Sequence, residues 1–198
     1  NHYVASDPMM KKLLLGLVAM GYLAGMPAHA QSVMAPGALA KSVTDEVVAI
    51  LRADKDIHSG NQNKVIDLIE SKVLPHFNFV RMTRLALGKN WRQASPEQQK
   101  VLVEQFRVLL VRTYAAAFTA YRNQTIDYKP VRMQPNDDEV VVKSLINQPS
   151  GQPVAIDYSM EKTDRGWKVY DVAIEGISLV QNYRSTFASE VQKGGIEG

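Results

Sequence analysis

Few side chains in this sequence are spaced so that they could make or break bonds together. His76 is the most inviting, but no second histidine or carboxylate stands near it at a ligand spacing, so it reads as structural. Asp157 and Asp171 fall in neighbouring candidate strands, where two carboxylates could share acid and base work. Asp157, however, alternates with bulky apolar residues and is expected to face solvent. The glycine, serine and histidine patterns of dinucleotide, nucleotide, hydrolase and metalloprotease sites (GxGxxG, GxxxxGKS or GxxxxGKT, GxSxG, HExxH) are absent. There is no cysteine, which excludes thiol nucleophiles and thiolate zinc sites and leaves packing, not disulfides, to hold the fold. The expectation is a protein without catalytic residues, metal or cofactor. Its chemistry is apolar: 45% of its 198 residues are hydrophobic, enough to bury a sizeable core in one domain.

Those apolar residues fall into two regimes. In the first, the period is helical. Val43, Val47, Ile50 and Leu51 mark a helix over 36–54, and Val65, Leu68, Ile69 and Val73 mark a second over 63–73, with Asn61 or Asn63 as its cap. Pro75 should end it. A short helix over 81–87 closes at Gly88. Ser95-Pro96-Glu97-Gln98 is a capping box with proline at the first helical position, opening a helix that can run to about Arg122. This long helix carries two apolar stripes, Leu102, Phe106, Leu109 and Thr113 beside Val103, Leu110, Tyr114, Phe118 and Tyr121. So wide an apolar surface must be covered on two sides or border a cavity.

After Asn123 the period falls to two. Strands are expected over 125–133, 139–147, 153–162 and 167–174, separated by turn-forming Pro, Asn, Asp, Ser and Gly. Connections this short join antiparallel neighbours, so the strands form a meander. Helices first and a four-stranded meander after them give an α+β fold with helices packed on a curved antiparallel sheet. The stretch from Trp167 to Phe187 joins the last strand to a terminal amphipathic helix with no room for a loop, and Gly176 stands at the change of period.

The N-terminal region is not expected to belong to that domain. Residues 1–8 match no element and read as a non-native remnant. Lys11-Lys12, the apolar run from Leu13 to Leu23 and Ala28-His29-Ala30 over 9–30 form a cleavable signal peptide, the run being shorter than the ~20 residues that span a bilayer. Cleavage removes Lys11, Lys12 and Asp7, reducing 23 basic and 20 acidic residues to 21 and 19. A net charge of +2 is too balanced to imply nucleic acid.

Trp167, Asp171, Glu175-Gly176-Ile177-Ser178-Leu179 and Asn182-Tyr183-Arg184, together with Leu87-Gly88-Lys89-Asn90-Trp91-Arg92 and the long helix behind it, resemble the toluene-tolerance family, MlaC, over most of residues 40–190. The resemblance implies a cone of the nuclear-transport-factor-like kind and a periplasmic carrier of glycerophospholipid between the outer and inner membranes, maintaining outer-membrane lipid asymmetry. Residues 31–198 would form one lipid-binding domain, with a helical part over 36–93 and the long helix, sheet and C-terminal helix over 94–193. Its implied partners are an inner-membrane ABC transporter with a lipid-binding substrate component and an outer-membrane lipoprotein complex. Phospholipid would be cargo, not cofactor.

A carrier needs an apolar pocket. Periodicity offers Leu109, Tyr114 and Phe118 from the long helix and Val142, Ile156, Tyr158, Met160, Val172 and Ile174 from the sheet as its lining. Arg84, Lys89 and Arg92 are the cations expected to meet lipid phosphate or an acidic partner surface. Tyr183 is expected to seal the last helix to the sheet and Arg184 to pair with a carboxylate. Two alternatives share the chain's features: a small-molecule enzyme of the same cone fold and a peptide-binding periplasmic adaptor.

Overall fold

Ser95 opens the longest helix for a local reason. Its hydroxyl accepts the backbone N–H of Gln98, whose own side chain accepts the backbone N–H of Ser95, and Pro96 occupies a first-turn position that needs no donor. Ser95→Ala should lower stability by about 1 kcal/mol, a fall in Tm of about 2–4 °C for a domain this size. An unchanged thermal midpoint would mean that tertiary packing fixes this end without the cap.

The computed structural model describes residues 33–198. The expected remnant and signal peptide lie outside the described residues. The first helix, α1 (Pro36–Ala53), is followed by a single turn, α2 (Lys55–His58), which the periodicity did not reveal. Asp54 initiates that turn by accepting the backbone N–H groups of Asp56 and Ile57. Asn61 then caps α3 (Gln62–Leu68), the first of its two candidate caps. The chain does not stop at Val73 but continues through a π turn (Ile69–Val73) and a 3-10 turn (Leu74–His76) that accepts Pro75 within it. Asn78 caps α4 (Phe79–Leu87), and Gly88, at φ 55°, ends it in a region that favours glycine. A 3-10 segment (Gly88–Gln93) leads to α5 (Pro96–Thr119), and α6 (Leu179–Gly194) closes the fold. No helix among the described residues is long and apolar enough to cross a membrane.

Among the described residues the sheet has five antiparallel strands, not four, in the order of the chain: β1 (Thr125–Tyr128), β2 (Glu139–Asn147), β3 (Val154–Thr163), β4 (Gly166–Ile174) and β5 (Ile177–Ser178). β1 is shorter than expected because Pro130 has no N–H to continue the ladder after Lys129 donates to Lys143. The register between β3 and β4 shifts at Ser159/Met160, a bulge. The corner at Gly176 also differs from the expected direct weld. Glu175 and Gly176, at φ 51° and 77°, form a tight hairpin turn with left-handed geometry at both positions, and β5 pairs back on β4 before α6 begins.

Asp171 fixes that corner. Its carboxylate accepts the Ser178 hydroxyl, the Val180 backbone N–H at 3.2 Å and the Val172 N–H at 2.9 Å, while Ser178 caps α6 by accepting from Gln181. Among the described residues Arg184 pairs with no carboxylate; its Nε and Nη2 both donate to the Leu85 carbonyl, at 3.0 and 2.6 Å, as its side chain crosses Gly88. Tyr183 seals α6 to α5 and not to the sheet, stacking edge-on against Phe106 beside Phe187. The signature residues that look chemical thus hold the strand-to-helix junction together.

The hydrophobic interior is divided into three groups. One joins α1, α2, α3 and α5 through Val47, Leu51, Ile57, Val65 and Val111. A second joins α4, α5 and α6 through Met82, Ala86, Phe106, Leu110 and Val180. The third belongs to the sheet, with Val140, Val142, Met160, Trp167 and Val169. A domain of this size ordinarily has one contiguous core.

Candidate lipid-binding cavity

The three groups do not merge because a cavity of about 410 Å³ lies among them. Its walls are drawn from each: Val47, Leu51 and Val111 from the first, Met82 and Leu110 from the second, Met160 and Val169 from the third. On the sheet side Ile126, Ile146, Ile156, Tyr158, Val172 and Ile174 complete it. No aspartate, glutamate, lysine or arginine is among its described lining residues. Such a cavity, concave and apolar with few polar groups, is the ordinary form of a small-molecule site and suits hydrocarbon.

Tyr114 and Phe118 of α5, and Ile156, Tyr158, Met160, Val172 and Ile174 of the sheet, come together in these walls. Two other expected residues do not. Leu109 is 39% exposed, because α5 turns its Leu110, Tyr114 and Phe118 stripe inward and leaves the neighbouring stripe outside. Val142 is fully buried in the sheet cluster, against which Leu39 and Ala40 of α1 pack, so solid packing covers it. Leu110 and Val169 take places that periodicity assigned to neither. The largest omission is α1, whose Leu39, Val43, Thr44, Val47 and Leu51 form a continuous wall. An apolar helical stripe looks the same in sequence whether it faces a core or a void.

The cavity's polar groups are few and unequal. The Tyr128 hydroxyl is paired with Thr44 and donates to the Ala40 carbonyl at 3.2 Å, and Tyr121 donates to the Gln124 carbonyl at 2.7 Å. His76 lies at the wall with its pKa lowered by burial and by Lys168, against an opposing effect of Glu46. Burial raises the pKa of Tyr114, and does so most strongly for Tyr158, so both remain neutral phenols at physiological pH. No described groups of three or more histidines and carboxylates could hold a metal ion. Asp157 and Asp171 are not among the lining residues, and Asp171 is engaged at the corner of α6. Arg84, Lys89 and Arg92 are all solvent-exposed, and none lines the cavity.

One wall is fastened to the sheet from outside. Phe77 bridges Val169 of β4 in parallel, Asn78 donates its backbone N–H to the Val169 carbonyl at 2.8 Å, and Lys168 donates to the Pro75 carbonyl at 2.7 Å. Arg81 binds Glu161 and, at 2.7 Å, Glu139, with its guanidinium 3.6 Å from the Tyr170 ring centre. Asn78 adds a 2.6 Å bond to Glu161. His76, Phe77, Phe79 and Met82, all in the cavity wall, are carried on the segment so held.

The fold and the sequence are similar to those of known proteins. A structure of a phospholipid-binding protein from Ralstonia solanacearum, solved in complex with a phospholipid, superposes with a TM-score of 0.77 at 44% identity, covering 81% of this chain and 90% of that one. The toluene tolerance protein ttg2D of Pseudomonas putida is 25% identical over 188 residues, 94% of this chain and 86% of its own length. The intermembrane phospholipid transport system binding protein MlaC of Haemophilus influenzae is 23% identical over 187 residues, 93% of this chain and 86% of its own. The sequence pattern of the MlaC protein family matches residues 41–198, so the chain belongs to that family.

Proposed function

We propose that this protein is a periplasmic phospholipid carrier that encloses acyl chains in the cavity and shuttles glycerophospholipid between membranes. The observation that carries the reading is a cavity without a charged lining residue, placed where the three hydrophobic groups would otherwise join. The 44% identity to a protein solved with a bound phospholipid supports it. Each buried CH₂ is worth about 0.8 kcal/mol, so a long acyl chain gains on the order of 10 kcal/mol inside such walls. A bilayer offers nearly the same gain. Exchange between carrier and membrane is therefore close to balanced in free energy, while passage of the bare lipid through water is steeply uphill, so loading and release proceed by docking.

The docking partners are an inner-membrane ABC transporter with a lipid-binding substrate component and an outer-membrane lipoprotein complex, and the chain reaches the periplasm through a cleaved signal peptide at residues 9–30. Arg84, Lys89 and Arg92, exposed and away from the lining, suit an acidic partner surface better than a headgroup. Tyr114, Phe118, Ile156, Tyr158, Met160, Val172 and Ile174 contact the tails. Native mass spectrometry of the purified protein, followed by organic extraction, tests the reading. A stoichiometric mass excess resolving to glycerophospholipid is the expected result. A bare mass that persists after incubation with phospholipid vesicles would refute it; turnover of a small molecule or a co-purified peptide would replace it with an enzyme or an adaptor.

A further inference from the structure

Three of the five hydroxyls on the described cavity wall are paired within the protein, and Tyr158 carries one of the two that are not. Tyr128 and Thr44 satisfy each other and Tyr121 is bound to a backbone carbonyl, whereas the Tyr158 hydroxyl has no hydrogen-bond partner among the described residues. Tyr114 also lacks one, but it stands nearer solvent, and water can serve it. Tyr158 sits mid-sheet, between Val142 of β2 and Val172 of β4, with its neighbours Ile156 and Met160 on the same wall. Burial disfavours its phenolate strongly, so the group offered to the cavity is a neutral O–H donor. Its oxygen is not sealed off, since no fully buried side-chain polar atom among the described residues lacks a partner, so the hydroxyl is open to whatever fills the cavity and is ordinarily satisfied by it. A phenylalanine would fill the same space without offering a donor.

We propose that the Tyr158 hydroxyl donates a hydrogen bond to an ester carbonyl oxygen of the bound lipid, and so selects acyl-ester lipids over ether-linked ones. This rests on the carrier reading. The chemistry of the ligand class narrows the acceptor. Phosphate oxygens are charged and would not leave water for walls that carry no cation, and the hydrocarbon has no acceptor, which leaves the ester oxygens as the polar atoms able to enter with the chains. The discrimination expected from one neutral hydrogen bond is about three- to tenfold.

The test is competition binding of dipalmitoyl phosphatidylethanolamine and its di-O-hexadecyl ether counterpart against a fluorescent lipid, for the wild type, Tyr158→Phe and Tyr183→Phe, the last at a tyrosine that packs between helices and is not among the lining residues. The wild type and Tyr183→Phe should prefer the ester lipid about three- to tenfold. Tyr158→Phe should lose that preference while holding the ether lipid as the wild type does. Equal affinity of the wild type for both lipids, a preference that survives in Tyr158→Phe, or a loss shared equally by both lipids would overturn the assignment. So would a lowered Tm in Tyr158→Phe, since it would reveal a partner within the protein. Binding of neither lipid by the wild type would instead overturn the carrier reading itself.

Discussion

Ile156→Glu should empty the protein of lipid while leaving it folded, reducing occupancy to less than about a tenth of the wild-type value. Ile156 is in the cavity wall, paired with Ser144 on β2 and Ile174 on β4, and no lining residue carries a positive charge to receive a carboxylate. An unpaired charge in such surroundings costs several kcal/mol and recruits water, and each ~1.4 kcal/mol is a factor of ten in occupancy. The empty protein escapes that cost by hydrating the cavity; the loaded one cannot. Val172→Glu, on the next strand, should behave the same way. Val142→Glu supplies the contrast: that side chain is fully buried and borders no cavity, so the same substitution should unfold the protein before any question of binding arises. Val141→Glu, on the outer face and 45% exposed, should change neither. Lipid extracted per folded protein, read beside circular dichroism and Tm, separates these cases. Wild-type occupancy in folded Ile156→Glu would remove Ile156 from the lipid contact.

These contrasts also measure how far the sequence could be read. The alternation of Ile156, Tyr158 and Met160 with Asp157 and Ser159 placed one face of β3 on the cavity, because a period of two admits only two faces. Helices are less exact: α5 is apolar around much of its circumference, and neighbours such as Leu109 and Leu110 differ only by a rotation that tertiary packing decides. Val142 belonged to the correct face of the sheet but lies under α1, and no feature of β2 records what covers it. The same blindness affects side chains with long reach. Arg184 carries charge and invites a carboxylate partner, yet the geometry of α6 across Gly88 brings it to the Leu85 carbonyl, an orphan acceptor near a helix end. Local chemistry with a short range was legible: the Ser95 capping box, the Asn61 cap and the Gly88 stop. Where residues far apart in sequence must meet, only the folded chain reports it.

Arg81 is one such meeting point, and Arg81→Met should cost about 2–3 kcal/mol, a fall in Tm of about 5–10 °C, with weakened lipid retention. Nothing in the sequence around Val80-Arg81-Met82 distinguishes it from a solvated helix arginine. In the fold its side chain is only 20% exposed, bound to Glu161 and Glu139 and laid over Tyr170, and Glu161 itself is 19% exposed. Methionine preserves the aliphatic volume but leaves Glu161 half-desolvated with only Asn78 to serve it. The penalty is mainly that stranded carboxylate, so Arg81→Met combined with Glu161→Gln should recover part of the lost stability. Arg81→Lys should fall between wild type and Arg81→Met, because a single ammonium cannot reproduce the planar contact with both carboxylates and the ring. The link to function is mechanical: Arg81 and Asn78 tie the segment bearing His76, Phe77, Phe79 and Met82 to β3 and β4, and loosening the tie opens that wall of the cavity. A thermal midpoint within about 1 °C of wild type, with undiminished lipid in the purified Arg81→Met protein, would show that the clasp is a surface ion pair of the ordinary, weak kind.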